Sequence, residues 1–426
     1  MIRKLSTLTA VGLIAACTDS GSTPIAEGDV DAAADAGVVI PCGASGVSKG
    51  PWSLHVDGSS AIVRWEACRQ GASNGVSFAP ETGGPQRSVD ATEAAFVVTK
   101  TTAAPLDPKA TPDYAGTWYM HEASLTGLSP GTCYTYQLSA DSALAGRLCT
   151  ARAPGDPIRF MAIGDTNPAL GHTAGTLKFA LAKNPDFVIH GGDIQYYAST
   201  LETWALWFPI MNPMLRQGAF FPAIGNHELE NPAEYAEYST RFFGGAGFDG
   251  ATEHYRFESG GVWFFSVDTQ DPITLSSPQG QWLTASLADA ATKPGFRFSV
   301  VFFHKPLVTC GDTSDDPVAR AQLEPIFIKN RVSLVLQAHM HGYERFTFPG
   351  ITYVTTGGGG GIIVEPDKNI ARDYCGSRVA SGNYHHATVF DVAGAAPASD
   401  AGAPSLHGAA IDEFGAVRDD FQITLP

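Results

Sequence analysis

Five apolar, strand-like runs between Asp165 and His341 each end on side chains that bind metal ions, and few folds accommodate that pattern. The segments are IRFMAIGD, ending on Asp165; DFVIHGGDIQY, with Asp193 and Tyr196; AFFPAIGNHE, with Asn226 and His227; FSVVFFHKP, with His304; and VSLVLQAHMH, with His339 and His341. Strands covered on both faces read as such unbroken apolar runs. In open α/β sheets, ligands collect outside the carboxyl ends of the strands. Asp165, Asp193, Tyr196, Asn226, His304, His339 and His341, at the ends of five successive strands, therefore read as one site for two metal ions.

The donor types suit phosphate-ester hydrolysis. Such esters resist attack because their anionic oxygens repel hydroxide; two cations about 3.5–4 Å apart acidify a bound water and clamp the phosphoryl group. One carboxylate must bridge the pair, and Asp193, directly after Gly191 and Gly192, is placed where backbone and ions can approach closely. The formal net charge of −16, from 27 basic and 43 acidic residues, argues against a nucleic-acid or anionic-membrane surface. An anionic substrate then needs a local positive centre, which bound cations supply.

The amino terminus reads as an export signal: Arg3 and Lys4, an apolar run from Leu5 to Ala16, and Ile14-Ala15-Ala16-Cys17, which resembles a bacterial lipobox. That run is too short to span a bilayer. Residues 1–17 are thus expected to be a lipoprotein-type signal, cleaved before Cys17. Lipid on the Cys17 thiol would anchor the exported protein to the bacterial envelope, at the outer membrane or cell surface. An ordinary cleaved signal with a chance cysteine is the alternative. Residues 18–41, rich in Ala, Asp, Gly and Ser, cannot bury enough surface to offset ordering entropy and read as a disordered acidic linker. The other six cysteines, an even number in an exported chain, imply disulfides; chain order favours Cys42 with Cys68, Cys133 with Cys149 and Cys310 with Cys375.

Residues 42–153 change to short alternating runs such as SAIVRWEA, AFVVTK, WYMHEASL and TCYTYQLSA, the pattern of a small β-sandwich. Leu128-Ser-Pro-Gly-Thr-Cys-Tyr134 resembles the tyrosine corner of fibronectin type III domains, and Trp65 sits where that family places a core tryptophan. From 154 to 426, strands at 158–164, 186–191 and 219–224 alternate with helical patterns near 172–183 and 201–216. Further strands are expected near 262–267, 298–303, 332–337 and 351–355. HHATVFDV and AVRDDFQITLP are expected to close a second sheet, with 393–405 as a loop.

The blocks Gly164-Asp165-Thr166-Asn167, Gly192-Asp193-Ile194-Gln195-Tyr196, Gly225-Asn226-His227-Glu228, Val301-Phe302-Phe303-His304 and Ala338-His339-Met340-His341 resemble, in order, those of the purple acid phosphatases of the metallophosphoesterase superfamily. The resemblance covers residues 155–426 and extends to Tyr343-Glu344-Arg345; a β-sandwich before the catalytic part is similar to the plant-type members. It implies an α/β fold, a two-sheet metallophosphoesterase sandwich flanked by helices, preceded by a small all-β fibronectin type III-like sandwich. It also implies a ferric ion held by Asp165, Asp193, Tyr196 and His341. A divalent zinc, manganese or iron ion would be held by Asp193, Asn226, His304 and His339. Hard ferric iron suits phenolate and carboxylate oxygens, while imidazole and amide suit the divalent ion. The implied activity is acid hydrolysis of small phosphate monoesters by a metal-activated hydroxide. Asp193 and His227 are the expected catalytic residues, with His227 placed to donate to a phosphoryl oxygen or to the departing alkoxide.

Three departures from the family pattern stand out. Asn167 and Ala338 replace the usual glycines, and KPLVTCGDTSDD after His304 holds no histidine, which leaves the leaving-group acid open. A phosphodiesterase or nucleotide pyrophosphatase could use the same two ions, because loops choose the substrate. A surface-binding lipoprotein with an idle metal site is the reading from another class. His190 is read as a packed strand histidine or as the orienting partner of a ligand. His385 and His386 fall outside the site, and Trp204, Trp207 and Phe208 read as core. The run Gly357 to Gly361 lacks the Lys-Ser/Thr of a phosphate loop and reads as flexible backbone passing close to the metal pocket.

Overall fold

The computed structural model describes residues 43–71, 74–99, 114–196, 204–230, 232–245, 252–394 and 405–425; the expected signal, the acidic linker and Cys42 lie outside the described residues. Ten strands form one sheet in the order Val417–Thr424, Ser405–Asp412, His386–Val392, Ile158–Ile163, Phe187–His190, Ala219–Pro222, Val47–Leu54, Ser60–Ala67, Gly116–Thr126 and Thr92–Val98. A second sheet runs Tyr255–Ser259, Val262–Ser266, Phe298–Phe302, Val332–Gln337, Ile351–Thr356, Tyr343–Phe348 and Arg378–Gly382. Four short strands, Arg87–Asp90, Gly75–Pro80, Cys133–Leu138 and Asp141–Cys149, make a third.

Alternation along each buried strand explains the layering. In the first sheet Phe160, Phe187 and Phe221 point one way, into a core shared with Phe257, Phe264 and Phe302 of the second sheet. The Phe221 and Phe257 rings stack at 3.7 Å, and Phe160 meets Phe264 edge-on at 5.2 Å. Met161, Ile163, Val188 and Phe220 point the other way and pack with the helices Thr173–Leu181 and Trp204–Leu215, where Trp204, Trp207 and Phe208 are buried as expected. Val301, Val335 and Tyr353 of the second sheet pack with Pro278–Ala290 and Pro317–Lys329 through Leu283, Leu287, Leu323 and Phe327. The result is the expected two-sheet sandwich with helices on its outer faces.

Two expectations change. The candidate donors do not follow five successive strands: three segments leave parallel strands of the first sheet and two leave parallel strands of the second. The last two predicted strands also extend the first sheet rather than close the second, because His386–Val392 pairs antiparallel with Ile158–Ile163. Its two faces are both apolar, Ala387 and Val389 toward the helices and Phe390 and Val392 toward the inter-sheet core, so it suits a central place. Ser405–Asp412 pairs beside it; Gly408, Ala409 and Ala410 carry little strand propensity, which hid this element from the sequence.

The amino-terminal strands join the same sheet. Val47–Leu54 pairs in parallel with Ala219–Pro222 at Ser53 and Ala219. Tyr134, in the segment like a tyrosine corner, accepts a hydrogen bond from the Ser129 N–H at 2.8 Å through its hydroxyl oxygen. Disulfides join Cys133 to Cys149 and Cys310 to Cys375. Cys68 is also disulfide-bonded. No helix among the described residues is long and apolar enough to cross a membrane.

Candidate metal centre

The three parallel strands of the first sheet end side by side, with Ile163 next to His190 and His190 next to Pro222. The chain turns sharply just beyond. Asp165, Asp193 and His339 take left-handed backbone conformations, with φ of 58°, 50° and 65°. Such conformations cost a non-glycine residue about 1–3 kcal/mol and persist where the surroundings over-determine them. Here the Asp165 N–H donates to the Gly192 carbonyl at 3.0 Å, and the Thr166 N–H to the Asp193 carbonyl at 3.1 Å.

All seven candidate donors converge. Asp165, Asp193 and His341 offer ligand atoms within 4.8 Å of one another, and so do Asp193, His304 and His339; Asp193 is common to both groups. His341 Nε2 lies 3.2 Å from Asp165 Oδ1 and 3.0 Å from the Tyr196 hydroxyl. His304 Nε2 lies 3.2 Å from Asp193 Oδ2, 3.1 Å from Asn226 Oδ1 and 3.0 Å from His339 Nδ1.

Hydrogen bonding fixes which ring nitrogens face the site. His304 Nδ1 is 3.0 Å from the Gly191 carbonyl oxygen, and His341 Nδ1 is 2.8 Å from that of Ile362. A carbonyl only accepts, so both Nδ1 atoms carry hydrogen and both Nε2 atoms are turned toward the acidic centre, the usual arrangement of metal-binding histidines. Around His304 Nε2 the other atoms are a carboxylate oxygen, an amide oxygen and an imidazole nitrogen. Acceptors crowded in this way call for a cation, and the donor set fits the two ions expected from the sequence. Burial alone would push His304 down, but the Asp193 carboxylate outweighs it and raises the ring to about 9. A metal ion between the same atoms would displace that proton. Asp193 is held below the ordinary carboxylate range, because His304 and His227 outweigh its burial.

His227 borders the site. Its ring lies 4.4 Å from that of Tyr196, Nε2 is 3.7 Å from Asp193 Oδ2, and Nδ1 pairs with Glu230. Its backbone N–H donates to Asp193 Oδ1 at 3.0 Å. About a quarter of the side chain is exposed, which leaves it more open to solvent than the fully buried Asp193 and His304.

Glu228 and His190 do the supporting work. The Glu228 carboxylate is fully buried and accepts the N–H groups of Asp193 at 3.0 Å, Ile194 at 2.8 Å and Gly225 at 2.7 Å, clamping two donor loops together. Burial, reinforced by the neighbouring Asp193 carboxylate, pushes Glu228 up to about 8. The sequence holds its signal, a carboxylate beside Asn226-His227, but gives it no role. His190 accepts from the Gly192 N–H at Nδ1, 3.2 Å away, so its Nε2–H donates to Thr166 Oγ1 at 3.1 Å. Thr166 in turn donates to the Ile194 carbonyl at 2.7 Å. Burial pushes His190 down to about 3, which keeps it neutral for this relay. It is packed in its strand, as read, and its two ring nitrogens also tie Gly192 to Thr166 beside the candidate donors.

Glycine is required where these loops meet. A Cβ on Gly225 would overlap the Asp193 carboxylate, and one on Gly361 would lie 2.8 Å from the His341 ring. The glycine run passes close to the site as expected, but as a hydrogen-bonded strap: Gly359 N–H donates to the Gly164 carbonyl and Gly361 N–H to that of Asp165, each at 2.9 Å. Ala338 keeps an ordinary backbone because the left-handed residue is the next one, His339. Its methyl fills the space over Gly164 and Gly191. In the histidine-free segment after His304, Glu344 accepts from Thr309 Oγ1 at 2.7 Å and Cys310 N–H at 2.8 Å, and the Cys310–Cys375 disulfide ties it down.

Glu228→Gln keeps the shape but turns an amide N–H toward backbone N–H groups. Outer partners of this kind are worth about 10–100-fold in metal affinity, and zinc titration of the variant should show a loss of that size. Unchanged affinity would mean the three N–H bonds do not position the donors.

Residues 158–343 match the family profile described as calcineurin-like phosphoesterase. An uncharacterized protein of Mycobacterium tuberculosis is 29% identical over 266 residues, covering 53% of this chain and 50% of the relative. Purple acid phosphatase 22 of Arabidopsis thaliana is 25% identical over 240 residues, covering 53% of this chain and 54% of the relative. The chain thus spans about half the length of the curated relatives it matches. Among solved structures, a purple acid phosphatase from yellow lupin (Lupinus luteus) seeds has the same fold, with a TM-score of 0.66 at 18% identity over 88% of this chain and 74% of that one.

Proposed function

Because residues 158–343 carry a calcineurin-like phosphoesterase domain homologous to purple acid phosphatases, we propose that the chain hydrolyses small phosphate monoesters at a two-ion centre. The observation that carries this reading is the sharing of the Asp193 carboxylate by two donor groups. Asp165, Asp193, Tyr196 and His341 would hold a ferric ion, and Asp193, Asn226, His304 and His339 a divalent zinc, manganese or iron ion. Bound there, the two cations supply an acidified water and neutralise phosphoryl charge.

The side chains supply the rest. Asp165 and Asp193, held by backbone hydrogen bonds in conformations they would not adopt alone, present their oxygens without reorganisation. Glu228 keeps the loops of Asp193 and Asn226 at fixed separation. His227, partly exposed, donates a hydrogen bond to a phosphoryl oxygen or a proton to the departing alkoxide as the ester P–O bond breaks. Glu230 at its Nδ1 orients the ring for this.

Hydrolysis of p-nitrophenyl phosphate should exceed that of bis-p-nitrophenyl phosphate; the reverse order would favour a diesterase on the same centre. In iron-loaded protein, Tyr196→Phe should abolish a visible phenolate-to-iron absorption band while the iron content stays measurable. A colourless wild type holding zinc or manganese alone would contradict the ferric assignment.

We further propose that residues 42–153 are a fibronectin type III-like module and that residues 18–41 link it to a lipid anchor at Cys17 on the bacterial envelope. The lipobox-like Ile14-Ala15-Ala16-Cys17 motivates the anchor. Cys17→Ser should release the protein from the membrane fraction, and continued partition into membranes would contradict it. The partners are then small phosphate esters, with no nucleic acid and no membrane contact beyond the anchor.

A further inference from the structure

A second set of metal-type donors lies beside the glycine strap. The rings of His172 and His385 stack, with centroids 3.9 Å apart and planes 13° from parallel. Both present Nδ1 to the same carboxylate: His172 Nδ1 is 2.8 Å from Glu413 Oε2, and His385 Nδ1 is 3.5 Å from Glu413 Oε1. The ligand atoms of the three residues lie within 4.8 Å of one another.

The hydrogen bonding of His385 makes this more than an ion pair. Its Nε2 lies 2.9 Å from the Gly361 carbonyl oxygen, and since a carbonyl only accepts, Nε2 carries hydrogen. In the neutral ring, Nδ1 then turns a lone pair toward a carboxylate oxygen that has only lone pairs to offer. Either a second proton or a metal ion must lie between them.

We propose that His172, His385 and Glu413 bind a divalent cation of the zinc class, separate from the two-ion centre. Two imidazole nitrogens and one carboxylate oxygen, with a position open to water, form a donor set that zinc takes. The orientation of His385 by a backbone carbonyl repeats what Gly191 does for His304 and Ile362 for His341. The His172 ring is 42% exposed, which provides an entry path and lets it tilt out of the stack to share one ion with His385. Through His385 the ion would grip the Gly361 carbonyl, whose own N–H donates to the Asp165 carbonyl at 2.9 Å. It would thereby clip three distant segments, at residues 172, 385 and 413, to the strap that borders the main centre.

The test uses the full chain carrying Asp193→Ala, which removes the carboxylate common to both groups of the main centre, stripped with a chelator and then titrated with zinc. This protein should retain one more zinc per chain than Asp193→Ala/His385→Ala or Asp193→Ala/Glu413→Gln. Glu413→Gln leaves the His385–Gly361 hydrogen bond in place, so it remains informative if the His385 variant fails to fold. Equal zinc content in folded Asp193→Ala and Asp193→Ala/Glu413→Gln overturns the proposal, whatever the phosphatase activity of the wild type. A zinc lost only with Glu413 or His385 supports it, and cobalt substitution should then give visible bands that vanish in the same variants.

Discussion

Replacing Asp193 with alanine is expected to lower kcat/KM for p-nitrophenyl phosphate by about a thousandfold or more, since one preorganised electrostatic group at such a site is already worth about 10²–10³. Among the described residues, Asp193 alone stands in both donor groups of the main centre, so its loss weakens both ion positions together. It also removes the acceptor of the His227 N–H, the residue proposed to meet the leaving group. Alanine tolerates the left-handed backbone at this position less well than aspartate. Asp193→Asn, which keeps the local shape, should therefore show a similar loss of activity with less effect on the backbone. Steady-state rates at matched metal loading check this, with circular dichroism confirming the fold. A variant retaining a tenth or more of the activity would separate Asp193 from the chemistry.

The largest expected effect on stability lies far from the ions. Arg241 is fully buried, its Nε 2.6 Å from Glu66 Oε2 and its Nη1 3.2 Å from Glu237; Lys49 Nζ lies 2.6 Å from Glu66 Oε1. The network ties two amino-terminal strands to the helical turn Glu237–Phe242. Lys49 reaches only Oε1, so removing Arg241 breaks the buried pair at Glu66 Oε2; breaking such a pair typically costs about 3–5 kcal/mol, and Arg241→Ala should shift the denaturant midpoint accordingly. Arg159→Ala, at the half-exposed pair with Asp391, should cost less than about 1 kcal/mol. Burial would raise the Glu66 carboxyl, but Arg241 and Lys49 outweigh it and hold it below its ordinary value. Its contribution is therefore complete above the ordinary carboxylate range and is lost as pH falls through the depressed value. Equal midpoints for wild type and Arg241→Ala would mean that the network does not stabilise the fold.

The convergence of the candidate donors was legible in the sequence because they sit immediately after strands buried on both faces, so the apolar run and the polar side chain appear as one unit. What spacing could not convey is that these strands divide between two sheets, since a run such as VSLVLQ looks the same in either. Supporting residues were harder to read. Glu228 works through backbone N–H groups, which leave no trace in side-chain chemistry, and His190 looked like ordinary strand filling until its two ring nitrogens could be paired. The glycine run was placed correctly beside the pocket, but its order comes from hydrogen bonds to Gly164 and Asp165, which lie far away in sequence. Joining of the amino-terminal strands to the catalytic sheet depends on Ser53 meeting Ala219, and no local pattern announces that pairing.

Two neighbouring cations are proposed to share the Asp193 carboxylate. Anomalous diffraction from crystals of the metal-loaded protein tests it directly. Two peaks should flank Asp193, about 3.5–4 Å apart, one within reach of Asp165 and His341 and the other of His304 and His339. A single peak, or two peaks that Asp193 does not touch, would contradict it.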